Sequence, residues 1–163
     1  MKKLFSLALA ITMLFGCGMG RTVFRAAVVT AATAGVRLNE LSHAAYSEHA
    51  ATVRAAVVAR HATIEEYDTL IKPADAELDR RTNAIGALSS ALYAAAALQE
   101  ALDAKELTVA LVAQSARSIL TAVSAAMHSL QDGLILPAVP IPAEVRQAVK
   151  VLEGLSSAFV APK

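Results

Sequence analysis

The chain has 163 residues, with Lys+Arg 15 against Asp+Glu 14, one cysteine and no tryptophan, and 56% of it is hydrophobic. So even a balance lacks the basic footprint of a nucleic-acid binder, and one cysteine excludes an internal disulfide. Alanine makes up roughly a fifth to a quarter of the residues, far above ordinary usage, and it combines the highest helix propensity with a side chain small enough for close helix packing.

Met1-Lys2-Lys3 is a short basic start, and Leu4 to Phe15 is an uncharged, mostly apolar run. At about 12 residues that run has the length of a signal-peptide core and falls short of the roughly 20 a spanning helix needs. Leu14-Phe15-Gly16-Cys17 ends it. This stretch resembles the lipobox of bacterial lipoprotein precursors; Leu14 and Gly16 match that pattern, and Phe15 is larger than the residue usual there. The resemblance implies a signal peptide over residues 1–16, cleavage before Cys17 and a diacylglycerol on the Cys17 sulfur. It stops at Cys17 and implies nothing about the fold. The competing assignment makes Gly16 and Gly18 the small residues of an ordinary cleavage site, which gives a soluble secreted domain.

Lipid on Cys17 would attach the chain to a membrane facing the periplasm or the cell exterior, each buried methylene contributing about 0.8 kcal/mol. Residues 17–21 are then a lipidated cysteine and its tether, Gly18 to Arg21 spanning at most about 14 Å. In the lipoproteins it resembles, aspartate after the cysteine favours inner-membrane retention. Gly18 is not that signal, so the expected address in a Gram-negative cell is the outer membrane. Losing Lys2 and Lys3 leaves 13 basic against 14 acidic residues, a net charge of about −1. Residues 22–163 are expected to form one domain, large enough for a proper core.

The first helix is expected from about Arg21 to Arg60, on the recurrence of Phe24, Val28, Ala31, Gly35 and Leu38 and then Tyr46, Ala50, Val53 and Val57. Thr63-Ile64-Glu65-Glu66 has capping-box spacing, which places a reversal near His61 and Ala62. The second helix should run from Ile64 to about Asp103, with Ile64, Tyr67, Ile71, Leu78, Ile85, Leu88, Leu92 and Leu98 inward, and with a kink at Pro73 or a break at Lys72. Asp68 with Lys72 and Glu77 with Arg81 form i,i+4 pairs expected on a solvated face. After a connection ending at Lys105 and Glu106, a third and most buried helix spans Leu107 to Gln131, with Asp132-Gly133 as its stop. Leu134 to Pro142 reads as a stiff extended crossover. A last short helix after Pro142 should bury Val145, Val149, Leu152, Ser156 and Phe159. These elements define an all-α antiparallel bundle of about four helices, two long and kinked and the last one short.

The chemistry-bearing residues yield mostly exclusions. Glu40-Leu41-Ser42-His43 has the Glu-x-x-His spacing of di-iron bundles, but such sites need the motif twice and two further glutamates. His49, His61 and His128 share no short ligand spacing, and neither a nucleophile elbow nor a phosphate-binding glycine loop occurs. The acidic run Glu65 to Asp79 lacks the glycine turn of a calcium loop. Arg117, alone on an apolar helix, is expected to pair with a carboxylate or reach solvent. No catalytic, metal or cofactor site is expected, and Cys17 is the one residue with an assigned role, lipidation.

The function expected is that of a lipid-anchored, non-catalytic envelope protein, a structural or protein-binding helical module at the membrane surface. Its partners would be the membrane, through Cys17, and a protein or a second copy; nucleic acid is not among them. In style it looks like the short lipoproteins of bacterial and prophage genomes. Two alternatives are a membrane-inserting hairpin of a permeabilising or lysis-type protein, formed by Thr82 to Gln99 and Leu107 to Gln131, and a binder of an apolar ligand between helices. Arg117, Gln114, Ser118 and His128 count against insertion, because an arginine at mid-membrane costs about 2.5 to 3.5 kcal/mol.

Overall fold

The computed structural model describes residues 19–101 and 108–157. It contains four helices, α1 (Met19–Ala59), α2 (Ile64–Ala101), α3 (Val109–Gln131) and α4 (Ala143–Ser157), and no strand among the described residues. The all-α architecture is therefore as expected from the sequence. Successive helices pack on one another, α4 returns to α1, and α3 also touches α1 across the bundle.

The helices differ in length, and the difference shapes the molecule. At 1.5 Å per residue, the 41 residues of α1 and 38 of α2 give rods of about 61 and 57 Å, against about 35 Å for the 23 residues of α3. The α1–α2 hairpin therefore outruns its neighbours and projects as a two-helix arm. All four helices share the body, whose core is built on three-and-four spacing: Phe24, Ala27, Ala31, Ala34 and Leu38 on α1, and Val112, Ala116, Ile119, Val123, Ala126 and Leu130 on α3. That is coiled-coil periodicity, and the alanines on α1 let its neighbours approach closely. The arm has a much smaller core of Ile71, Ala74 and Leu136, flanked by half-buried Tyr46, Ala50, Val53, Tyr67 and Leu78.

Several expectations need correction. The break at Lys72 does not occur, since α2 runs through Pro73. Proline deprives the Thr69 carbonyl of its helical donor, which is tolerated because Thr69 and Pro73 both face solvent. Ile64, assigned inward, is 80% exposed at the first turn of α2. On α4 the buried stripe is Val145, Ala148, Leu152 and Leu155, with Val149 and Ser156 half-buried beside it. Phe159, like Asp103, Lys105 and Glu106, lies outside the described residues. α3 has the largest share of buried positions, yet Gln114, Arg117, Ser118, Thr121, Ser124 and His128 form an exposed face.

Candidate functional site

The largest departure from expectation is the Glu77–Arg81 pair, assigned to a solvated face and found in the interior, 6% and 0% exposed. Arg81 Nη2 donates to Glu77 Oε1 at 2.7 Å and to the carbonyl oxygens of Leu136 and Pro137, both at 3.4 Å. Glu77 Oε2 accepts the backbone N–H groups of Ile135 at 2.8 Å and Leu136 at 3.3 Å. One pair of side chains thus gives donors and acceptors to a crossover that has no helix or sheet of its own to satisfy its backbone. Burial pushes the Glu77 carboxyl up; the two backbone N–H groups and the Arg81 guanidinium outweigh it and hold the group below its ordinary value.

Gly133 belongs to the same clamp. A Cβ there would collide with the Leu136 carbonyl oxygen and lie 2.6 Å from Arg81 Nη2. Expected as a helix stop, this glycine is required by close approach; the capping contact itself is the Asp132 N–H to the His128 carbonyl, 2.9 Å. The antiparallel register, marked by Tyr46 against Asp75 and Gly35 against Leu88, sets Ser42 level with Arg81. Ser42 Oγ and the Nε and Nη1 of Arg81 are buried without a hydrogen-bond partner among the described residues. Each such atom costs about 1 to 3 kcal/mol, so this level of the hairpin is held by its clamp and not by complete polar pairing.

The arm beyond the clamp is fastened by polar contacts. Tyr46 donates to Asp75 Oδ1 at 2.6 Å, and this hydrogen bond, burial and the Asp75 charge push the phenol up to about 12. At the tip, α1 ends in a Schellman motif: Ala62 N–H reaches the Val57 carbonyl at 3.0 Å and His61 N–H that of Val58 at 3.2 Å. His61 takes the left-handed position, φ 50°, which glycine adopts at lower cost. The expected capping box then starts α2, Thr63 N–H donating to Glu66 Oε2 at 3.0 Å and Glu66 N–H to Thr63 Oγ1 at 3.3 Å. Val58, Ile64 and Leu70 are exposed around this tip.

The remaining candidates are scattered. Glu40 pairs with Arg37 at 2.8 Å on the surface, and His43 is exposed on the same helix. His128 lies 2.7 Å from Asp132, His61 is at the tip, and His49 is half-buried on α1. No cluster of three His, Cys, Asp or Glu capable of holding a metal occurs among the described residues. Arg117 faces solvent with its Nε on the Ala113 carbonyl, 3.3 Å. Cys17 lies outside the described residues. An open groove of about 600 Å³ runs along the outer side of the α1–α2 hairpin, between Val28, Gly35 and Val36 of α1 and Ile85, Gly86 and Tyr93 of α2. The sequence signal for it was the absence of charge from residues 82–99, which had suggested a membrane hairpin instead.

Comparison with known proteins adds no family to this geometry: no family model, curated protein or solved structure matches the chain.

Proposed function

We propose that this is a lipid-anchored, non-catalytic protein of the bacterial cell envelope whose helical bundle acts as a structural or protein-binding module at a membrane surface. The observation that carries this reading is the sequence Leu14-Phe15-Gly16-Cys17, whose cysteine stands two residues ahead of Met19, the first described residue of α1. With lipid on Cys17, the start of α1 would sit at the bilayer. The unbroken 41-residue helix would then present the arm's tip up to about 60 Å away. In a Gram-negative cell the outer membrane is the expected address.

The distribution of polarity supports a module that folds in water over an inserted hairpin. Among the described residues, Ala110–Gln131 is the one helical segment long and apolar enough to cross a membrane. Its apolar side is occupied by core contacts from Val112 to Leu130, and its other side carries Arg117, Gln114 and His128, which insertion would expose to lipid. The α1–α2 groove is open along its length, which suits a helix or flat surface better than an enclosed apolar ligand. The test is to express the chain without residues 1–16 and with Cys17→Ser, then follow fractionation and circular dichroism. A soluble, helical, cooperatively melting protein is expected; partition into membrane or folding only in detergent would overturn the reading.

A further inference from the structure

The crossover between α3 and α4 is fastened to the molecule in two separate ways. Its ends are joined within the body: Val139 N–H donates to the Leu130 carbonyl at 3.2 Å, and both residues belong to the body's core. Residues 131–138 between them form a loop whose ends lie together. Leu136, 1% exposed, is the loop's one buried side chain, and it packs on Ile71 and Ala74 of the arm. Leu134 stands 86% exposed, and Asp132, Ile135, Pro137 and Ala138 are exposed as well. Among the described residues, every hydrogen bond from this loop to α2 ends on Glu77 or Arg81. One apolar side chain and one ion pair therefore seat the loop, while its ends are held elsewhere. The body's apolar cluster includes none of its residues, so it can lift from α2 without unpacking a helix.

We propose that residues 131–138 are a flap that opens as one unit when Glu77 takes up a proton, leaving the four-helix body folded. Both carboxyl oxygens of Glu77 already accept N–H groups, Oε1 from Arg81 and Oε2 from Ile135 and Leu136. An added proton must displace a donor from one of them, and the neutral group is the weaker acceptor at both. Arg81 stays charged and is left buried beside a neutral partner, and lifting the loop lets water reach it.

The other charged and titratable groups around this level are engaged elsewhere or exposed. Asp75 accepts from Tyr46 of α1 at 2.6 Å, Asp79 and Arg80 of α2 are exposed, and Asp132 of the loop lies 2.7 Å from His128 of α3. Ser42, level with Arg81 on α1, does not titrate. None of these is bonded to Glu77, which leaves Glu77 as the group whose titration releases the loop. Opening would uncover Ile71 and Ala74 between half-buried Tyr46, Tyr67 and Leu78, so acid turns a covered strip of the arm into an accessible one.

The test is hydrogen exchange on the full chain at pH 7 and pH 3, read by mass spectrometry as protection relative to an unstructured peptide at the same pH. The segment holding the Ile135 and Leu136 amides should lose protection by at least about fivefold at pH 3, while α3 keeps its own. Glu77→Gln, which has the shape of the protonated group at every pH, should show the open level of protection already at pH 7 and no further fall. His128→Gln should keep the parent's response. Protection lost at Ile135 and Leu136 only together with α3 would mean global unfolding and would overturn the flap. Unchanged protection at pH 3, a fall that persists in Glu77→Gln, or a response abolished by His128→Gln would overturn Glu77 as its trigger. The parent measurement involves no substitution, so it can overturn the flap even if Glu77→Gln fails to fold.

Discussion

The body and the arm of this molecule are held together by different means. In the body, apolar layers from four helices do the work; a fully buried leucine such as Leu38, Leu88, Leu130 or Leu152 contributes about 1.5 to 3 kcal/mol. The arm has only two helices and the Leu136 side chain, too little apolar surface to fix its geometry unaided. It relies on directed polar contacts: the Glu77–Arg81 clamp at its base, Tyr46–Asp75 above it, and reciprocal caps at its tip. The lesson is that a helical hairpin can extend beyond its bundle if hydrogen bonds at a few levels replace the missing layers.

The clamp is where this comparison breaks most sharply. Glu77→Ala leaves the Arg81 charge buried and the N–H groups of Ile135 and Leu136 without their acceptor, and should cost about 3 to 5 kcal/mol, read from the urea midpoint. Because the folded Glu77 carboxyl is held below its unfolded value, its contribution is present above the ordinary carboxylate pKa of about 4.3 and is lost as pH falls through the lower folded value. The parent should lose that contribution on acidification, and Glu77→Ala should not.

Tyr46→Phe should cost about 1 kcal/mol at neutral pH by removing one hydrogen bond. The folded phenol lies above its unfolded value, at about 12, so its contribution is complete below pH about 10 and is lost as pH rises towards the folded value. The phenylalanine variant should lack that alkaline fall, which a spectroscopic titration can follow. The smallest effect is at the tip. His61→Gly relieves a left-handed conformation and should stabilise the arm by about 1 kcal/mol, seen as slower hydrogen exchange near Ala62 with the body unchanged.

Much of the fold was legible because its signals are local. Three-and-four spacing located the helices, and Thr63 with Glu66 marked the reversal, since a capping box is complete within four residues. Glu77 and Arg81 were legible as a pair but not as a buried one. Their i,i+4 spacing is the same in water or in the interior, and what buries them is backbone arriving from Leu134–Pro137, more than 50 residues later. Gly133 was legible as the end of α3 but not as part of the clamp, because the side chains it approaches there, Arg81 and Glu77, belong to α2. Ile64 was placed inward on apolarity alone, at a helix start beyond the last covering layer. The groove was least legible of all: an uncharged run is the same string whether it faces lipid, a core or solvent.

The clamp also bears on the order of assembly. The α1–α2 hairpin closes through contacts only a few residues apart at its tip, and such contacts form early because little loop entropy opposes them. The bonds from Glu77 to Ile135 and Leu136 close over separations of 58 and 59 residues and must wait until α3 has packed. Until then Glu77 and Arg81 face water on the side of α2 that the crossover will later cover. A half-formed hairpin would thus present a hydrated ion pair at that level in place of bare hydrocarbon, a surface less prone to aggregation than an apolar one.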